Sequence, residues 1–280
     1  MILSYIDYKL NNHTVFERVS FKTPFHPSVT FDQQACFIYS ISGNGMLYGG
    51  LEKDSVKNQE SILMKCGSFL NHWNSSTETN EAAEVIIIRF TPEVIQALYE
   101  NDLPSFLTSS QKPIGKVFQK IPEQTVINEY IRGLLFYFEN PSLMNEELIR
   151  LKLKELILLL YNLNYKNIRE LLSTLFDPVE LSFKSIVQSQ LFEELNINEY
   201  AALTNTSLST FKRKFKKVFG ETPGKYIVDQ RLQKAAKLLT STNKRITEIC
   251  FESGFSNLST FSKSFSKKYA CSPSEYRNNS

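Results

Sequence analysis

The sequence predicts an α+β chain in two parts. The first is a small β-barrel or sandwich carrying two or three helices. The second is an all-α region of seven helices with two helix-turn-helix units. Three observations carry this. Short runs of β-formers with turn punctuation fill the chain up to Phe90, helical periodicity takes over from Thr91, and the stretch Leu208–Tyr226 returns at Leu258–Tyr276. A repeat of this kind means one supersecondary unit used twice.

In the β-rich part, Ala35–Ile41 is an apolar run of β-formers, Gly43-Asn44-Gly45 is a turn signal, and Met46–Tyr48 reads as the return strand. Ser61–Met64, Gly67–Leu70 and Val85–Phe90 complete the strands this reading finds. Thr91-Pro92-Glu93-Val94 opens a short helix, with Thr91 as cap and Pro92 at its first position. Ser105–Lys116 is polar and reads as a loop. Glu123–Glu139 places Val126, Ile127, Tyr130, Ile131, Leu134, Leu135 and Phe138 on one broad apolar face. Asn145–Leu163 is apolar on more than one stripe, through Leu148, Ile149, Leu151, Leu153, Leu156, Ile157, Leu159, Leu160 and Leu163. Burial on most sides is expected for it, against the β part, a neighbouring helix or a second copy of the chain. Asp177-Pro178 after Phe176 breaks the helical pattern and divides the chain into 1–177 and 178–280.

The second part is predicted as helices over Val179–Glu193, Asn198–Leu203, Leu208–Val218, Gly224–Leu239, Ile246–Phe251, Leu258–Tyr269 and Pro273–Arg277. Between the two copies of the repeat, 8 of 19 positions are identical, Phe211/Phe261, Phe215/Phe265, Pro223/Pro273 and Tyr226/Tyr276 among them. In each copy the aromatic residues fall at helical spacing, which on its own means core packing. Lys212, Arg213, Lys214, Lys216 and Lys217 lie between them in the first copy. Upstream of each copy stands a small residue (Ala201, Cys250), then a residue tolerant of positive φ (Asn205, Gly254), then Ser207 or Ser256 as the expected N-cap. This is a helix, a tight turn and a second helix. Gly224–Leu239 would hold the two units about 24 Å apart at 1.5 Å per residue.

Composition narrows the function. From Pro178 onward there are 16 Lys+Arg against 9 Asp+Glu, and before it 16 against 20. The repeat therefore sits in the basic part, as a nucleic-acid-binding module requires. The longest apolar run, Leu156–Tyr161, is too short to span a membrane, and Met1–Asn12 carries no secretory pattern, so a cytoplasmic location is expected. Cys36, Cys66, Cys250 and Cys271 form no metal-ligand pattern and read as reduced, mostly buried thiols. His13, His26 and His72 are the only histidines and are scattered; with no His-x-His or His-x-x-x-His, no metal site and no cofactor is expected. His72-Trp73 follows a strand and could line a pocket. No phosphate-cradling loop or nucleophile signature suggests catalysis.

The residues Ile246–Ser256, Phe261–Phe265 and Ser272–Arg277 resemble the signature of the DNA-binding domain of AraC-type (AraC/XylS) transcription regulators, over roughly the last third of the chain. Cys250 stands where the family usually has Ala, and Asn205 where it usually has Gly. The resemblance implies a cupin-like regulatory and dimerising domain ahead of two recognition helices that read successive major grooves. It implies a DNA-binding set of Ser207, Ser209, Thr210, Lys212, Arg213 and Lys216 in the first unit, and Asn257, Ser259, Thr260, Ser262, Lys263 and Lys267 in the second. Of these, Ser209, Lys212 and Arg213, with Ser259, Ser262 and Lys263, take the base-reading positions. The first helix is expected to carry more base specificity and the serine-rich second helix more phosphate positioning. Double-stranded DNA, RNA polymerase, a small-molecule or protein effector and a second copy of the chain are the implied partners, and activation the implied outcome. The rival reading is a metal-dependent cupin-type enzyme fused to a DNA-binding module.

Overall fold

The computed structural model describes residues 1–31, 34–74, 82–99, 103–107, 116–163, 166–175 and 182–278. The chain separates into two compact units, Met1–Glu180 and Leu181–Ser280. The predicted break at Phe176–Pro178 lies outside the described residues.

The first unit holds two antiparallel sheets. Strands β1 (Ile2–Leu10), β2 (His13–Lys22), β4 (Ala35–Ser42), β7 (Ser61–Met64), β9 (Ala82–Phe90) and β10 (Phe118–Ile121) form one, in the order β1-β2-β9-β4-β7-β10. Strands β3 (Ser28–Phe31), β5 (Asn44–Gly49), β6 (Glu52–Val56) and β8 (Gly67–Asn74) form the other, in the order β3-β8-β5-β6. The larger sheet is covered on both faces. Phe37, Tyr39, Leu63, Ile86 and Ile88 pack on the helices, and Cys36, Ile38, Ile62, Met64 and Val85 pack with Phe69, Leu47 and Trp73 of the smaller sheet. This explains why β4 reads as an unbroken apolar run rather than an alternating one. Burial pushes the Cys36 thiol up to about 12. Cys66 and Cys250 are also buried, and Cys271 is half-buried.

The Gly43 turn departs from the expected hairpin. Strand β4 pairs with β7 and β9, whereas β5 pairs with β6 and β8, so the chain crosses from one sheet to the other there. Gly43 has φ +93°, and a Cβ on it would lie 2.4 Å from that of Ala83. The glycine serves a close sheet-to-sheet corner rather than a two-residue hairpin.

Among the described residues four α-helices accompany these sheets, against the two or three expected: α1 (Pro92–Leu98), α2 (Thr125–Glu139), α3 (Glu146–Asn162) and α4 (Lys166–Ser173). Thr91 caps α1 as expected, by accepting from the Val94 amide. Ser105–Leu107, expected as loop, is a short 3-10 turn, and residues 108–115 lie outside the described set. Helix α3 is not buried on most sides. Ile149, Leu153, Leu156, Ile157 and Leu160 face the core, while Leu151 is 62% and Leu158 44% exposed. Val126 of α2 is exposed as well. Trp73 is core rather than pocket wall. His26 and His72 are not scattered: their rings stack with centroids 4.2 Å apart.

The second unit contains seven helices among the described residues: α5 (Phe183–Ser189), α6 (Ile197–Leu203), α7 (Leu208–Phe219), α8 (Pro223–Ser241), α9 (Ile246–Glu252), α10 (Leu258–Tyr269) and α11 (Pro273–Asn278). Helix α5 is shorter than expected, with Ser182 as its cap and residues 179–181 outside the described set. Helix α8 is longer, at 19 residues, and turns Ile227, Leu232, Ala235, Ala236 and Leu239 inward. No described helix is long and apolar enough to cross a membrane.

Candidate nucleic-acid interface

Two helix-turn-helix units, α6–α7 and α9–α10, are built from the repeat. In the first, α6 is closed at its start by a reciprocal cap, Asn196 accepting from Glu199 N and Glu199 from Asn196 N. The turn places Asn205 at φ 49°. Ser207 then caps α7 by accepting from the Thr210 amide. In the second unit Gly254 takes the turn at φ 88°. The cap of α10 is Asn257, not Ser256: its Oδ1 accepts from the Thr260 amide at 2.8 Å. The extra residue in the second turn thus restores the register, and Asn257 lies 50 residues after Ser207, as the phenylalanines of the two copies do.

The aromatic roots hold each recognition helix down. Phe211 and Phe215 are fully buried against Phe183, with Tyr200 stacked on Phe211 and Tyr226 edge-on to Phe215. Phe261 and Phe265 repeat the arrangement with Phe255, Tyr269 and Tyr276. Tyr200 is buried and donates to the Gln190 carbonyl at 2.7 Å, and burial pushes its phenol up to about 12. Val218 is 41% exposed, and Phe219 continues the apolar stripe by packing on Phe215.

Opposite those roots lies an outward stripe. At about 100° per residue, Ser209, Arg213 and Lys216 with Lys217 stack along the side of α7 away from Phe211 and Phe215, and Lys212 flanks them. All five are exposed. On α10 the matching stripe is Ser259, Lys263 and Lys267, exposed, with Ser262 half-buried at its side. The other predicted residues belong to the helix starts. The Ser207 hydroxyl lies 3.1 Å from that of Ser209 and 3.0 Å from that of the half-buried Thr210, while Thr260 is exposed. Lys217 was not among the predicted site residues, although it falls four residues after Arg213 on the same stripe.

Electrostatics separates the cations into two groups. Lys214 sits over the Phe183 ring, Lys225 pairs with Glu221, Lys244 with Glu252, and Lys268 with Asp229 at 2.5 Å. Among the described residues, the side chains of Lys212, Arg213, Lys216, Lys217, Lys263 and Lys267 make no hydrogen bond, ion pair or ring contact. These six lie on the two outward stripes, four on α7 and two on α10. An array of unpaired, solvated cations on a rigid helix is what neutralises phosphates, and one planar guanidinium among them can read a base edge.

Comparison with known proteins agrees with this geometry. A helix-turn-helix domain model matches residues 200–279, and a model described as the ExsA N-terminal regulatory domain matches residues 35–173. The chain belongs to the AraC-type transcription regulators. It is 36% identical over 99 residues to the uncharacterized HTH-type transcriptional regulator YobQ of Bacillus subtilis, covering 35% of this chain and 41% of that one. It is 31% identical over 104 residues to the HTH-type transcriptional regulator ExsA of Pseudomonas aeruginosa, covering 35% and 37%. With the virulence regulon transcriptional activator VirF of Yersinia enterocolitica it shares 27% identity over 173 residues, covering 60% and 61%. In each case the match spans less than two thirds of the relative. All three relatives are described as transcriptional regulators or activators.

Proposed function

We propose that this AraC-type chain is a sequence-specific DNA-binding transcription regulator that places α7 and α10 in two successive major grooves on one face of the duplex. The observation that supports it is the pair of outward stripes, alike in cap and aromatic root, carrying six cations whose side chains have no partner among the described residues. Residues 178–280 would be the DNA-binding domain and residues 1–177 the regulatory and dimerising one. Arg213, with Ser209 and Lys212, reads bases. Lys263, Lys267 and the capped helix starts at Ser207 and Asn257 position the phosphates. The similarity to VirF, described as a transcriptional activator, supports activation as the outcome; in this reading the chain acts with RNA polymerase in the cytoplasm, with no catalytic step. An effector, small molecule or protein, acts at the first domain. Dimerisation would use the exposed stripe of Leu151 and Leu158 on α3, one heptad apart.

Selection of full-length protein on a random duplex pool, repeated over a salt series, tests the reading. Enrichment of two conserved blocks about one helical turn apart, with affinity falling steeply in salt, is expected. Failure to enrich any sequence would count against it. For the dimer, sedimentation of wild type against a Leu151→Glu/Leu158→Glu variant is decisive. A dimer that the variant converts to monomer is expected, and equal masses would remove α3 from the interface.

A further inference from the structure

Two recognition helices read one composite site only if their separation is fixed, and a pair of side chains on α8 appears at the junction between the units. Arg231 reaches from α8 to the loop between α5 and α6. Its Nε donates to the Leu191 carbonyl at 2.8 Å and its Nη2 to that of Glu193 at 2.5 Å. One turn on, Lys234 lies 4.2 Å from the centre of the Phe192 ring and donates to the Glu252 carbonyl at the end of α9 at 2.8 Å. The turn of the second unit closes onto the same loop. A Cβ on Gly254 would lie 2.8 Å from the Phe192 carbonyl oxygen and 2.9 Å from Arg231 Nε. The loop of the first unit is therefore held from one side by α8 and touched from the other by the α9–α10 turn.

We infer that Arg231 and Lys234 are positioning residues that fix the two helix-turn-helix units relative to each other, and so set the number of base pairs between the two blocks of the site. The reason is geometric. Elsewhere each unit packs on α8, the second through the Lys268–Asp229 pair among others, and packing on a shared helix fixes each unit to α8 without directly tying one unit to the other. Arg231 supplies the tie on the side of the first unit because its planar fork binds two carbonyls of one loop in a fixed direction. Lys234 supplies it for the second by joining Phe192 to the end of α9. Neither side chain lies on the outward stripes, so neither is placed to touch DNA. The inference about spacing rests on the two-groove reading above; the inference about the junction does not.

The test uses full-length protein and two readouts. Spin labels at Lys217→Cys and Lys267→Cys, in a Cys271→Ser background, report the separation of the recognition helices by double electron–electron resonance without DNA. Selection on a random duplex pool reports the spacing between enriched blocks. Wild type should give one narrow distance and one spacing, with a duplex lengthened by one base pair bound roughly tenfold or more weakly, the cost of a lost base contact. Arg231→Met and, separately, Lys234→Met should broaden the distance distribution and admit neighbouring spacings. Lys234 is on the surface side of the junction, so its variant keeps the test valid if Arg231→Met fails to fold. Distance distributions as narrow in a folded variant as in wild type would overturn the inference. If the distances broaden but wild type enriches no paired blocks, the junction stands and the two-groove reading falls.

Discussion

Arg213 and Lys216 are neighbours on one stripe of α7, both exposed and both with side chains unpartnered among the described residues, yet they should fail differently when truncated. Arg213→Ala removes a planar fork at a base-reading position. A bidentate contact to guanine O6 and N7 contributes about 1–3 kcal/mol of discrimination, or roughly 5- to 150-fold. That loss should fall on the selected duplex and nearly vanish on a scrambled one. Lys216→Ala removes a point charge. It should weaken both duplexes by the same factor and make the slope of log K against log salt shallower by about 0.9. With Lys212 and Arg213 assigned to bases, the four remaining free cations on the stripes, Lys216, Lys217, Lys263 and Lys267, should give a wild-type slope of about −4. Because neither side chain is bonded in the folded protein, neither truncation should alter stability by more than about 0.5 kcal/mol, so the binding change can be read directly. Fluorescence anisotropy on both duplexes across a salt series is the assay. If Arg213→Ala weakens the two duplexes equally and flattens the slope, Arg213 is a phosphate contact and the assignment of base reading to it is wrong.

The turns make a second pair of predictions. Gly254→Ala forces a Cβ against the Phe192 backbone at φ 88°, and should lower stability by about 2 kcal/mol or more by chemical denaturation. Asn205→Gly, at φ 49°, should be neutral or slightly stabilising, and comparable losses in both would refute the account of the turns. Lys268 holds the Asp229 carboxyl below its ordinary value through a hydrogen bond, aided by Gln233. A depressed carboxylate contributes stability above its unfolded pKa, and this is lost as pH falls through the folded value, below about 4. The urea-midpoint gap between wild type and Asp229→Asn should therefore shrink from pH 6 toward pH 3; a gap that widened would contradict the ion pair. In folded protein near neutral pH, the half-buried Cys271 should react first with a thiol reagent. Cys36, buried and with its thiol pushed up to about 12, should react only after denaturation.

The second unit was legible because its signals are local and occur twice. Phe211 and Phe215 with Phe261 and Phe265 fixed the buried face of each helix, and Asn205 and Gly254 fixed the turns. The misplaced cap shows the limit of aligning the copies on Ser207 and Ser256: Asn257 caps as well as serine does, and only the backbone reveals which residue stands at the helix start. In the first unit β1, β2, β3, β6, β10 and α4 are not among the elements read from sequence, and for several of them the pattern is not the usual one. Strand β1 exposes Ile2, Leu3, Tyr5 and Ile6 together, so no alternation marks it. Strand β6 is largely charged, and β10 and α4 are short. The Gly43 corner imitates a hairpin because sequence cannot say that the partner strands belong to different sheets. The stacking of His26 on His72 joins β8 to the segment before β3, a pairing that depends on the register of Phe25 with Trp73. Free and bonded cations are likewise indistinguishable by residue type: Lys214 and Lys268 look like Lys216 and Lys267 until their partners are placed.

Methylation interference on the selected duplex tests the central claim most directly, since a methyl group at guanine N7 blocks the major groove alone. Two clusters of interfering guanines on one face, about 10 base pairs apart, are expected, with Arg213→Ala abolishing interference at one guanine of the α7 cluster. A single cluster, or binding indifferent to N7 methylation, would contradict the placement of α7 and α10 in successive major grooves.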